Sequence, residues 1–175
     1  MEAVIERAME AMRARRNREQ RAARLKLRRE LREGRERLKS RRDHEAEAQR
    51  AFNAYIRERD FADSCICCDG WPRTPSNHQW DAGHYRSTGA APDLRFDEDN
   101  CHKQLVSCNR NKSGNTVEYR IRLIAKIGPE AVERLEGPHP PKKYTVDELK
   151  AIRKLYQVKL RELRQAREMG HEVAA

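Results

Sequence analysis

Apolar residues are distributed unevenly along this chain. From Met1 to about Gln49 they are sparse (Ile5, Met9, Met12, Ala22, Leu25, Leu27, Leu31, Leu38), set among strong helix formers with no proline and one glycine, Gly34. That pattern predicts a helix polar nearly all round, which either stays a solvated arm or orders when neighbours or a polyanion support it. Between Ala46 and Asp60 the pattern changes: Ala51, Phe52, Tyr55 and Ile56 share one face of a helix that should dock on a core. The Trp71 to Asn77 segment, with Pro72 and Pro75, and Ser87 to Pro92 read as loops. Residues His78 to Tyr85 alternate as a short strand, Leu94-Arg95-Phe96 reads as a second, and a helix is expected from Cys101 to no further than Gly114. Asn115 is placed to cap a helix whose apolar face is Val117, Ile121, Ile124 and Ile127, ended by Gly128-Pro129. A short helix over Glu130 to Leu135 follows. The last element opens on a capping box, Thr145-Val146-Asp147-Glu148, and carries Leu149, Ile152, Tyr156, Leu160 and Leu163 on one face. Such a face either covers the core or pairs with a second copy of the chain, so a homodimer is an expected partner state.

These elements predict an α+β chain in three parts: an arm over residues 1–45, a core over 46–142 and a C-terminal amphipathic helix over 143–175. At 175 residues there is room for one compact domain with extensions. Charge sharpens the picture. Between Ala11 and Arg42 there are fifteen Lys or Arg against four Glu, a surplus of eleven in a chain whose whole formal charge is +10, so the remainder is close to neutral. A basic arm on a neutral core points to a polyanion, with the arm supplying salt-dependent, sequence-blind affinity for a phosphate backbone. No apolar run approaches the roughly 20 residues of a bilayer span, and the Met1 end lacks an apolar h-region, so a soluble intracellular protein without a membrane partner is expected.

Five cysteines cluster at Cys65, Cys67, Cys68, Cys101 and Cys108, an odd number that favours metal ligation or free thiols over a disulfide framework. Cys65 and Cys68 are separated by two residues and closed by Asp69-Gly70, a knuckle whose thiolates can converge on one tetrahedral Zn²⁺.

The candidate chemistry lies at Asp81-Ala82-Gly83-His84-Tyr85 and at Asn100 to Asn109. Hydrolysis of a phosphodiester needs an activated water and relief of charge at phosphorus. His84, at a strand end, suits a general base. Asn109, presented by a helix, suits an oxygen ligand for Mg²⁺ or Mn²⁺, with Asp81 the nearest second ligand. Asn100 would tie the long loop by hydrogen bonds and fix His84. Taken singly, these are ordinary polar, turn and cap residues; their conjunction beside a cysteine knuckle carries the weight.

The H…N…N order of His84, Asn100 and Asn109 resembles that of ββα-metal (HNH-type) nucleases. The chain also resembles the lambdoid phage NinG (Rap) recombination family and, more distantly, the endonuclease VII type of HNH resolvase. The matching stretches are Phe52 to Asp60, Trp80 to Arg86, Asn100 with His102-Lys103-Gln104, Cys108-Asn109 and Lys112 to Asn115. They continue through Tyr119-Arg120, Ile127-Gly128, Glu130-Ala131-Val132 and Lys150-Ala151-Ile152, so the similarity covers roughly residues 50–165. The resemblance implies a small ββα-metal core surrounded by helices, and a structure-specific endonuclease of the host-cell cytoplasm that cuts branched DNA, with His84 as base and Asn109 on Mg²⁺. The competing reading is a zinc-containing DNA-binding accessory protein that does not cut. In the resolvase pattern an acidic ligand directly precedes the histidine, where this chain has Gly83. The family pattern also has two Cys-x-x-Cys pairs, and here Leu105 stands where one cysteine belongs. Cys65, Cys68 and Cys108 therefore need a fourth zinc ligand from Cys101, His102 or Cys67, and we expect Cys101 or His102.

Overall fold

The structure is a computed structural model that describes residues 1–72 and 79–174; the expected loop at 71–77 and strand start at His78 fall largely outside the described residues. It divides into two compact units, Met1–Ser40 and a second that begins at Arg41.

The first unit is one helix, α1 (Glu2–Arg37). Its described side chains between Ile5 and Glu33 are exposed, and pairs such as Arg15–Glu19 and Arg29–Glu33 link successive turns. Exposed pairs of this kind contribute little individually, so the helix rests on intrinsic propensity.

The second unit is helix-rich around a small two-stranded sheet. Its elements are α2 (Arg41–Arg59), β1 (Trp80–His84), a 3₁₀ turn (Pro92–Phe96), β2 (Cys101–Leu105), α3 (Val106–Asn109), a 3₁₀ turn (Ser113–Asn115), α4 (Thr116–Ile127), α5 (Pro129–Glu136) and α6 (Val146–Ala174). β1 and β2 are antiparallel, with Trp80 opposite Leu105 and His84 opposite Cys101. No helix among the described residues is long and apolar enough to cross a membrane.

Two expectations are corrected here. Leu94-Arg95-Phe96 is not a strand but lies in the 3₁₀ turn, opened by Pro92, whose fixed φ suits a first helical position. Cys101 to Leu105 is a strand, not the start of a helix, because pairing with β1 outweighs its weak local preference; helix begins only at Val106.

Phe52, Tyr55, Ile56, Ala82, Cys101 and Tyr156 form one buried cluster joining α2, the sheet and α6. Phe52 is fully buried and meets Phe96 and Tyr156 edge to face at 5.8 and 4.8 Å. Phe52→Ala should cost about 3–5 kcal/mol of stability, measurable by chemical denaturation. A second cluster joins the knuckle to α4 and α5 through Cys65, Leu94, Tyr119, Leu123, Val132 and Leu135. The face of α4 turned inward carries Tyr119 and Leu123 with Ile124 and Ile127 packed beside them, whereas Val117 and Ile121 are exposed, which corrects half of the expected apolar stripe. Tyr119 wins the inward place because its hydroxyl has buried partners: it donates to the Gly83 carbonyl at 3.0 Å. Asn115 stands at the start of α4 in left-handed backbone without a capping bond, its amide donating instead to the Cys67 carbonyl at 3.4 Å.

The capping box of α6 closes reciprocally, Thr145 N–H donating to Glu148 at 2.7 Å and Glu148 N–H to Thr145 Oγ1 at 3.2 Å. Leu149 and Tyr156 are buried, and Ile152, Leu160 and Leu163 pack against the cluster that includes α2. The apolar face that could have met a second copy is thus turned onto the chain's own core.

At the end of α2, Asp60 is nearly fully buried. Burial alone would raise its carboxyl, but the Arg59 guanidinium (2.7 and 3.0 Å), the Lys103 N–H (2.9 Å) and Lys126 hold it below the usual range. A depressed folded value contributes stability that is present above the unfolded value, near 3.9, and is lost as pH falls through the folded one. Thermal melts should therefore drop on acidification below about pH 4, and Asp60→Asn should flatten that drop.

Candidate functional site

The knuckle brings together Cys65, Cys67, Cys68 and Cys108, whose sulfurs all lie within 4.8 Å of one another. Cys65 and Cys67 Sγ are 3.6 Å apart, as are Cys68 and Cys108 Sγ. A tetrahedron with Zn–S bonds near 2.3 Å has sulfur–sulfur edges of about 3.8 Å, so the four thiols fit a zinc ion with little movement. The cluster could hold a metal such as zinc. Donors already face it: Leu105 N–H reaches Cys65 Sγ and Gln104 Nε2 reaches Cys67 Sγ, both at 3.3 Å. Burial opposes a thiolate at Cys67, yet bonds from Gln104, Asn115 and the neighbouring thiols outweigh it and lower its pKa. Burial raises Cys108 to about 11, a penalty that a bound cation would reverse.

The fourth thiol is therefore Cys67, and the expected Cys101 and His102 are corrected. Cys101 projects from the opposite side of β2 into the Phe52 cluster, fully buried, 3.8 Å from His84 Nδ1. His102 is buried against Tyr119, its Nδ1 3.3 Å from the Tyr119 hydroxyl, and burial lowers its pKa to about 3. Sequence separation alone could not distinguish these neighbours, because adjacent strand residues face opposite sides.

Asp81 and Asn109 are brought into contact. Asn109, in the last position of α3, donates through Nδ2 to Asp81 Oδ2 at 3.0 Å. Arg110 grips both oxygens of the same carboxylate at 2.9 Å. Although partial burial works the other way, Arg110 and Asn109 keep the Asp81 carboxyl below its ordinary pKa. Both oxygens accept hydrogen bonds, so a cation at the expected Asp81 position would compete with the Arg110 guanidinium. Asp81 orients Asn109, whose remaining hard donor is the side-chain oxygen. Arg110 was not singled out from the sequence; its signal is only its position next to Asn109.

His84 closes β1. Its Nε2 lies 3.0 Å from the Arg95 carbonyl, to which it can only donate. The neutral ring so held carries its lone pair on Nδ1. Burial lowers the His84 pKa, outweighing the bond to the Arg95 carbonyl, which works the other way, so the neutral ring is favoured at physiological pH. Asn100 is fully buried and ties the intervening loop: it accepts from Arg86 N–H at 2.7 Å and donates to the Arg86 and Leu94 carbonyls at 3.0 and 3.2 Å. Since Leu94 adjoins Arg95, these bonds hold the carbonyl that orients His84.

Gly83 is fixed by crowding. A Cβ there would lie 2.1 Å from Gln104 Oε1, and Gln104 is itself pinned by a 2.6 Å bond to the Gly114 carbonyl. Gly114 has φ +81°, which favours glycine. An acidic ligand immediately before His84 is sterically excluded. Gln104, which touches both the cysteine cluster and the strand, is a residue the sequence reading missed.

No contact joins His84 to Asn109 among the described residues. Asp81 and His84 stand three positions apart on β1, about 10 Å along the strand and on alternate faces, and α3 leaves β2 beside Trp80, at the end away from His84.

A family model described as "Bacteriophage Lambda NinG protein" matches residues 1–168. Proteins named "Protein ninG" from Escherichia phage lambda, Escherichia phage 933W and Salmonella phage P22 are each 54% identical over 121 residues, 69% of this chain. The match covers 57–58% of their length, so the chain spans under three-fifths of the relatives it resembles. No solved structure matches.

Proposed function

The chain belongs to the NinG family of phage proteins, and from that premise we propose that it is a metal-dependent endonuclease built on a ββα-metal core. On this reading it cuts branched DNA such as Holliday junctions and D-loops during phage recombination, in the cytoplasm of the bacterial host.

The observation that carries the reading is the state of His84. A general base must be neutral and must have its acceptor nitrogen free of any proton. The Arg95 carbonyl claims the proton on Nε2, and burial keeps the ring uncharged. For Nδ1 to take a proton from water, that water must replace its 3.8 Å contact with the buried Cys101 thiol; the water oxygen then bonds to phosphorus, the bond from phosphorus to the 3′-oxygen breaks, and that oxygen is protonated from solvent. Asn109 Oδ1 would hold Mg²⁺ or Mn²⁺, which when bound supplies charge relief at the phosphate. Arg110 sits beside it as a fixed positive charge. The distance of about 10 Å along β1 and the change of face that separate His84 from Asp81, Asn109's partner, exceed the roughly 6–8 Å over which a base acting through water and a cation ligand acting through a phosphate oxygen share one phosphate, so the reading requires the two side chains to be drawn together when DNA binds. The cysteine knuckle fixes the C-terminal half of β2, and the basic α1 adds affinity for backbone phosphates.

The test is incubation of the protein with Mg²⁺ or Mn²⁺ and linear, forked and four-way DNA. Cutting confined to the branched substrates is expected. If the four-way DNA is bound but stays intact with both cations, the endonuclease reading fails and the accessory DNA-binding role replaces it.

A further inference from the structure

Beside Asp81 the second unit carries a cleft of about 790 Å³ between the end of α2, Trp71, the start of β1 and α6. Both tryptophans of the chain line it. Among the described residues Phe61 and Trp71 are 58% and 57% exposed, an unusual state for large aromatic rings. Both rings have defined neighbours. Trp71 meets Trp80 edge to face at 5.9 Å. Lys103 Nζ stands 4.9 and 4.4 Å from the two ring centres while donating to the Phe61 carbonyl at 2.9 Å. On the opposite wall the Arg167 guanidinium lies 4.3 Å from the Phe61 ring.

Four cations (Arg57, Lys103, Arg164, Arg167) line the cleft against two carboxylates, Glu58 and Glu168. Glu58 is bridged to Arg164 and Arg167. The cleft is thus aromatic, cationic and poor in aliphatic side chains, the composition of a surface that stacks bases and tracks phosphates rather than one that seats an apolar protein segment. A duplex cannot use it, because its base faces are covered by their own stack; an unpaired strand can. Trp80 directly precedes Asp81, which Asn109 and Arg110 contact, so a strand lying in the cleft leads towards the proposed cutting site.

We infer that this cleft binds single-stranded DNA, with unpaired bases stacking on Trp71 and Phe61 and Arg57, Arg164 and Arg167 facing the phosphates. The inference deepens the endonuclease reading and rests on it for the identity of the nucleic acid: unpaired bases occur where a branch opens, which gives branch preference a physical source.

Because both tryptophans lie in the cleft, intrinsic fluorescence reports its occupancy. The zinc-loaded full chain, without added Mg²⁺, should show saturable quenching by a short oligothymidylate and much less by a blunt duplex of equal length. Trp71→Ala and Phe61→Ala should each weaken oligothymidylate binding by about tenfold, read by anisotropy of a labelled strand, and leave duplex binding unchanged. Trp71→Phe, which keeps a ring, should restore affinity; since both rings are exposed, their truncation leaves the core intact. Equal quenching by duplex and single strand, or unchanged single-strand affinity in both alanine variants, would overturn the inference. Junction cutting assayed in parallel separates the two readings: cutting that persists without single-strand binding refutes the cleft alone, and single-strand binding without cutting refutes the endonuclease alone.

Discussion

His84→Ala should reduce cleavage of four-way DNA by about 10²- to 10⁴-fold while leaving DNA affinity unchanged in a gel-shift assay. On the proposed function the affinity would come from the basic α1 and the cationic surface, neither of which uses the imidazole. The pH profile is the more discriminating measurement. A base works only when neutral, and burial places the His84 pKa below the ordinary 6.5. The midpoint of the decline in cleavage on acidification should therefore lie below pH 6.5. A profile that breaks at or above an ordinary histidine's pKa would contradict the buried, carbonyl-bound ring. Asn100→Ala offers a second arm. It leaves the Arg86 N–H and the Leu94 carbonyl without their buried partner, a cost of about 1–3 kcal/mol for each group, and loosens the loop that orients His84. Cutting should fall in that variant with no loss of DNA binding.

Cys67→Ser should empty the metal centre. A serine cannot supply the fourth thiolate, and zinc retained after dialysis, read by elemental analysis, should fall from one per chain to near none. Loss of a ligand weakens binding by more than the 10- to 100-fold typical of an outer-shell change, and because metal binding is coupled to folding the thermal midpoint should fall with it. Cys101→Ser should leave zinc content unchanged, since Cys101 lies in the other cluster. The rescue is the stronger test. Leu105 borders the site: its N–H donates to Cys65 Sγ at 3.3 Å, and its Cδ1 and Cys68 Sγ crowd the same side of Gly70, 3.3 and 3.1 Å from where a Cβ would sit. Adding Leu105→Cys to Cys67→Ser should therefore restore one zinc per chain. Retention of one zinc per chain by Cys67→Ser would remove Cys67 from the ligand set; loss of zinc in Cys67→Ser that Leu105→Cys fails to restore would show that position 105 does not reach the ion.

Local pattern and composition alone determined a good deal about this protein: the polar basic helix at the N-terminus, the docking face of Phe52, Tyr55 and Ile56, the capping box at Thr145 and the metal-ligand character of the cysteines. These are legible because helical period, capping chemistry and charge blocks act over a few residues and need no distant partner. Only the tertiary structure decided that Cys101 to Leu105 would be a strand, since its helix-tolerant sequence yields to pairing with β1. That one choice set alternate residues of the strand on opposite sides, sending Cys101 into the Phe52 cluster and Gln104 towards the thiols, and left Cys67 as the fourth sulfur. It likewise determined that Asp81 meets Arg110 and Asn109 instead of standing open, and that Gly83 has no room for a side chain. Ligand sets and ion pairs depend on which residues distant in sequence meet in space, and that is fixed by the packing of the whole second unit rather than by any short stretch of it.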